Sequence, residues 1–171
     1  MLIFRCWFFI FILLQGANAL ALEVGAGLSA IEEGDDRLRP GVLAHVSDPE
    51  IGFVRLHHYG RTFGPIVERS YIISANRELD ILRSLGNEIL YAGLGFAALI
   101  EQTQIRVQND SVSEMNYNLG FNVGAYARIP LPQPMFMKIG WESHIFPAGF
   151  ASILLSNGRK QVISLVTGVS F

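Results

Sequence analysis

From Met115 to Ile129 the chain alternates: Met115, Tyr117, Leu119, Phe121, Val123, Ala125, Ala127 and Ile129 are interleaved with Asn116, Asn118, Gly120, Asn122, Gly124, Tyr126 and Arg128. A strand sends successive side chains to opposite faces, so this pattern predicts a long strand with one apolar face and one face of amides, glycine and a charge. Glu88 to Glu101 follows the same rule, with Leu90, Ala92, Leu94, Phe96, Ala98 and Ile100 opposed by Tyr91, Gly93, Gly95, Ala97 and Glu101. So does Met135 to Ile145, where Met135, Met137, Ile139, Trp141 and Ile145 oppose Lys138, Gly140, Glu142 and His144. Leu22 to Ala30 and Gln161 to Phe171 are shorter strands of the same kind.

Three more segments, Gly41 to Ser47, Ile51 to Gly60 and Ile66 to Arg77, bring the expected count to eight. Their alternation is less clean. Gly41 to Ser47 reads with either face inward, and Asn76 to Leu85 also reads as a short helical turn. The connections fall into two alternating sets. Ser47 to Glu50, Ser84 to Asn87 and Pro130 to Pro134 are short turns built from Gly, Pro, Asn and Asp. The stretches 31–39, 61–65, 102–114 and 146–160 form the other set and include the two longest expected loops. An even number of strands with short turns on one rim and longer loops on the other is the layout of a transmembrane β-barrel.

Composition supports this and removes alternatives. Half of the 171 residues are hydrophobic and 16% are charged, with 17 Gly and 12 Phe, and the mean hydropathy is +0.34. Such a chain is too apolar for disorder. A net charge of −2 with no Lys/Arg block carries no footprint for nucleic acid. The first residues have a different character: Arg5 precedes an apolar run from Cys6 to Leu14, followed by Ala17-Asn18-Ala19 and Ala19-Leu20-Ala21. That order is a secretory signal peptide, residues 1–19, with cleavage after 19 or after 21. Cleavage would remove Cys6, the single cysteine, so no disulfide can hold the exported chain, residues 20–171.

Alternation by itself leaves open whether the apolar face meets lipid or a core, and a soluble eight-stranded barrel of lipocalin type is the competing architecture. The polar face gathers the glycines with Glu23, Glu68, Glu142, Lys138 and Arg128, a mixture that fills a narrow lumen better than it covers a wet surface. Tyr117, Phe146 and Phe171 near segment ends suit interfacial girdles on the apolar face. The expected fold class is therefore all-β, an eight-stranded antiparallel up-and-down transmembrane β-barrel.

With its leader, its strands and a closing segment Ser164 to Phe171 that ends in an aromatic residue, the chain resembles the small eight-stranded outer-membrane barrels of Gram-negative bacteria. The resemblance implies an outer-membrane location, contact with outer-membrane lipid and lipopolysaccharide, and presentation of Phe171 to the barrel assembly machinery. Locally, Ala92-Gly93-Leu94-Gly95-Phe96 and Trp141-Glu142-Ser143-His144, followed by Asn157-Gly158, are similar to the PagL-like lipid A deacylases, which are acyloxyacyl hydrolases. That family carries His-x-Ser-Asn on its seventh strand. Here His144 is followed by Ile145-Phe146-Pro147, and Gly158 to Phe171 holds no Asp or Glu.

The candidate catalytic residues are thus Ser143, His144 and Glu142. Adjacent residues of a strand point to opposite faces, so Ser143 and His144 cannot share the roughly 3 Å contact that nucleophilic catalysis needs unless a bulge intervenes. Glu142 and His144 share a face, and a lumenal charge cluster with Lys138 is the plainer reading. His57 and His58 face opposite ways. His45 lying across from them makes a two-His site conceivable, but polar filling of a lumen is the simpler account. Glu32-Glu33-Gly34-Asp35-Asp36 lacks the spacing of a calcium loop. Loop 146–158 is unusually apolar, with Phe150, Ile153, Leu154 and Leu155. No cofactor is expected. The expectation is a non-enzymatic structural or surface-interaction barrel, the alternative being a lipid A deacylase-like ester hydrolase.

Overall fold

The computed structural model describes residues 22–32, 38–48, 50–79, 89–107, 110–147 and 158–171. The leader, the turn at 84–87, most of the acidic run 32–36 and the apolar centre of loop 146–158 lie outside the described residues. Eight strands are present: β1 (Glu23–Glu32), β2 (Leu38–Asp48), β3 (Gly52–Phe63), β4 (Ile66–Leu79), β5 (Leu90–Val107), β6 (Asp110–Pro130), β7 (Met135–Ile145) and β8 (Arg159–Ser170). Each pairs antiparallel with its neighbours in sequence, and β1 pairs with β8, which closes the barrel.

The register between 41 and 77, undetermined by the sequence pattern, is fixed by pairs such as Leu43 with His57 and Leu56 with Ile73. Leu43, His45 and Ser47 face inward and Val42, Ala44 and Val46 face outward. The helical alternative for 76–85 is replaced over its described part by β4, which runs to Leu79. The expected loop 102–114 is a correction: β5 and β6 continue as paired strand to Val107 and Asp110. β6 meets β7 only from Phe121 onward, so the far end of this hairpin extends past the closed wall. Between β2 and β3, Asp48 Oδ1 accepts the N–H groups of Glu50 and Ile51 at 2.8 and 3.1 Å. Gly52 follows at φ 120°, a backbone region open to glycine and strained for other residues.

The exposed large side chains are the apolar positions of the alternation, among them Leu28, Leu94, Phe96, Leu119, Phe121, Ile139 and Leu165. The buried ones are mostly the polar set, including Arg55, His57, Asn122, Glu142 and His144. Apolar outside and polar inside is the inverse of a soluble barrel, and closure leaves no unpaired edge along the wall; both are what a hydrocarbon surrounding demands. Tyr117 and Phe171 are exposed as expected. Phe146 is not: it is buried, because it shares the parity of Glu142 and His144, and it lies beside the His144 ring. The wall is also tightly coiled. A Cβ at Gly95 would stand 1.9 Å from the Ala75 carbonyl oxygen of the next strand.

Candidate functional site: the lumen and the loop-side mouth

Inward-facing residues stack in layers along the barrel axis. At the rim that carries both barrel ends, Glu23 takes Arg128 Nη2 on one oxygen at 2.7 Å and Lys138 Nζ on the other at 2.5 Å. Lys138 also reaches Glu78 at 3.9 Å and Ser47 Oγ at 3.4 Å. Leu43, Phe136 and Val166 pack together in the same half. Toward the loops, Ile31, Tyr59, Ile72, Ala97, Leu99, Phe146 and Val162 form a second apolar cluster.

Between these layers sits Arg55, fully buried. Its Nη1 pairs with Glu142 Oε1 and donates to Ser164 Oγ at 3.1 Å, while Nε donates to His45 Nδ1 at 3.2 Å. The guanidinium also lies over Tyr126 at 4.6 Å and Phe53 at 5.1 Å. These two rings meet edge to face, and Tyr126 stacks on Tyr91. A buried charge persists only when it is paired and hydrogen-bonded, and β2, β3, β7 and β8 each supply part of that shell. The lumenal partner of Glu142 is therefore Arg55 and not Lys138, which is held by Glu23. Asn122 Nδ2 completes the network, donating to Glu142 Oε2 at 3.3 Å and to Asn76 Oδ1 at 2.8 Å.

The three residues proposed for catalysis separate as strand geometry requires. Glu142 and His144 share the lumen, with His144 Nε2 3.2 Å from Glu142 Oε2. Ser143 faces the other way, where its Oγ accepts a hydrogen bond from Arg159 Nε at 3.0 Å. Among the described contacts nothing joins Ser143 to His144, so the pair is not arranged as nucleophile and base. His57 points inward and lies 3.6 Å from the same Glu142 oxygen. His58 faces the wall, stacked on Tyr71 at 4.6 Å between ring centroids. The alternation signalled both orientations, but the meeting of β3 with β7 across the lumen has no local sequence signal.

The loop-side mouth has a different chemistry. Lys160 donates to Glu101 Oε1 at 2.8 Å and to Tyr59 Oη at 2.9 Å, and Arg61 pairs with Glu68. Beside these pairs lies a cleft of about 160 Å³, where Arg39, Arg61 and Arg69 line the wall with Glu68 and Glu101. Sequence reading did not single out this arginine group, whose members come from β2, β3 and β4 and converge only through the register.

With this geometry in hand, comparison with solved structures is decisive for the fold. Ail, the attachment invasion locus protein of Yersinia pestis, superposes with a TM-score of 0.59 over 89% of this chain and 97% of its own, at 15% identity. The fold is that of a small outer-membrane barrel. A second Ail structure, in complex with the heparin analogue sucrose octasulfate, gives 0.60 at 14% identity, covering 89% of this chain and 99% of Ail. Neisserial surface protein A gives 0.50 at 12% identity over 89% of this chain and 97% of its own. No protein-family model matches the sequence, and no curated protein matches it.

Proposed function

We propose that the chain is an exported outer-membrane barrel with a plugged lumen that acts as a structural or surface-interaction protein through its loop-side mouth. The observation that carries this reading is the filled interior. Arg55, His57, Glu142 and His144 are fully buried and occupy the section where a pore or substrate channel would run, as expected for a barrel whose eight strands leave room only for side chains. Residues 1–19 act as the cleaved leader, the rim with the barrel ends faces the periplasm, and Phe171 serves as the signal to the assembly machinery.

The outward mouth would meet anionic sugars, either lipopolysaccharide phosphates or sulfated glycans. Arg39, Arg61 and Arg69 line the cleft, Arg61 while paired with Glu68, and guanidinium groups engage such anions two hydrogen bonds at a time. Binding of sucrose octasulfate by Ail supports the same ligand class on a barrel of this shape. The enzyme reading, an ester hydrolase acting on lipid A, has less support. Its serine is engaged by Arg159 and its His–Glu pair is sealed in the lumen.

Titration of the folded protein in detergent with sucrose octasulfate tests the proposal. Binding should weaken as salt screens the charges and should disappear in an Arg39→Ala/Arg61→Ala/Arg69→Ala variant. Unchanged binding in that variant would remove the mouth from the account. A mass spectrum of lipid A after incubation with the same preparation should be unaltered. Loss of one acyl chain with the wild type, and not with His144→Ala, would make the protein a deacylase.

A further inference from the structure

The lumenal cluster holds more than a charge pair. His57 from β3 and Glu142 and His144 from β7 are all fully buried, and one donor atom of each lies within 4.8 Å of the others. The His57 and His144 rings meet edge to face with centroids 6.0 Å apart. Among the described residues neither ring nitrogen of either histidine has a hydrogen-bond partner, although Nε2 of each faces Glu142 Oε2, at 3.6 and 3.2 Å. Buried polar atoms are nearly always satisfied, and two such Nε2 atoms gathered at one carboxylate oxygen are an anomaly that the side chains around them do not resolve.

We propose that His57, Glu142 and His144 bind one transition-metal dication of the Zn2+ class inside the barrel. With metal–ligand bonds of about 2.0–2.1 Å, neighbouring ligand atoms of a tetrahedral site stand about 3.3 Å apart, and the two His-to-Glu separations bracket that value. Two imidazoles and one carboxylate form a donor set suited to such ions, with the fourth position open to a small ligand. Arg55 holds the other oxygen of Glu142, the outer hydrogen bond that orients a ligating carboxylate. Because His57 lies on the barrel wall opposite the β7 residues, the metal ties β3 to β7 across the lumen. The site does not depend on the surface-binding reading and would persist if that reading failed.

The test is to refold the chain in detergent with Co2+ or Zn2+ present from the start, confirm folding by the gel mobility shift between unboiled and boiled samples, and dialyse against a weak chelator. The expected result is one retained metal per folded chain, with the intense visible absorption of tetrahedral Co2+. Both signals should be lost in His57→Gln and in His144→Gln chains that still show the mobility shift, and kept in His58→Gln. Folded wild type without metal or Co2+ absorption overturns the proposal, even if a variant fails to fold. Retention of the metal by the His57→Gln/His144→Gln double variant overturns it as well.

Discussion

Replacing Arg55 by Met keeps most of the side-chain length and removes the charge at the centre of the lumen. The substitution deletes the pair with Glu142, the hydrogen bonds to Ser164 and His45, and the stacking over Tyr126. It also leaves a fully buried carboxylate with its principal counter-charge gone. Breaking a buried pair from one side costs about 3–5 kcal/mol, and Glu142→Gln should cost a similar amount by stranding the guanidinium. If the two groups act through each other, the double variant will fall short of the sum by at least ~2 kcal/mol, a coupling typical of groups in contact. Equilibrium urea unfolding in lipid vesicles, followed by the emission of Trp141, gives all four stabilities; EDTA in every sample keeps metal binding out of the comparison. A cost for Arg55→Met below ~1 kcal/mol, or strict additivity, would refute the claim that this pair organises the lumen.

Three other outcomes follow from the same geometry. Leu94→Arg places a cation on the lipid face, where Leu94 is 54% exposed; a loss of about 2–4 kcal/mol is expected near mid-membrane, and urea titration in vesicles and in a water-soluble amphipol should show the penalty only in the bilayer. Gly95→Val sets a side chain against the Ala75 carbonyl, so the unboiled and boiled samples should migrate alike because the barrel no longer closes. Ser143→Ala removes one hydrogen bond from Arg159 and should cost about 0.5–1.5 kcal/mol, with the lipid A mass spectrum the same as that of the unsubstituted protein.

Strand identity was legible wherever lipid faces one side and lumen the other, because that contrast imposes the period of two. It vanished where the contrast vanishes. Gln102 to Gln104 are polar on both faces and Ser111 to Glu114 carry a single apolar residue, Val112, so they read as loop, although Gln102 pairs with Met115 and Gln104 with Ser113 in continuous ladder. Phe146 was misplaced by its composition when its parity already put it inside. The opposed directions of Ser143 and His144, and of His57 and His58, followed from adjacency alone. What the pattern could not supply was partnership across the lumen. Arg55 and Glu142 stand 87 positions apart, and only strand number and stagger decide that they meet. The arginines of the mouth were invisible for the same reason.

The pairing of β1 with β8 sets this wall apart from its other seams. Every other seam joins strands that follow one another in sequence and can form as a hairpin soon after both are made. The β1–β8 seam brings Glu23 against Ser170, so its loop-closure entropy is the largest in the molecule and must be met before any of its hydrogen bonds is gained. Until that zipper shuts, the sheet has two open edges that lipid cannot satisfy and that another chain can. Assembly is thereby a race between self-closure and pairing with a neighbour, and the step that decides it is the docking of the last strand on the first.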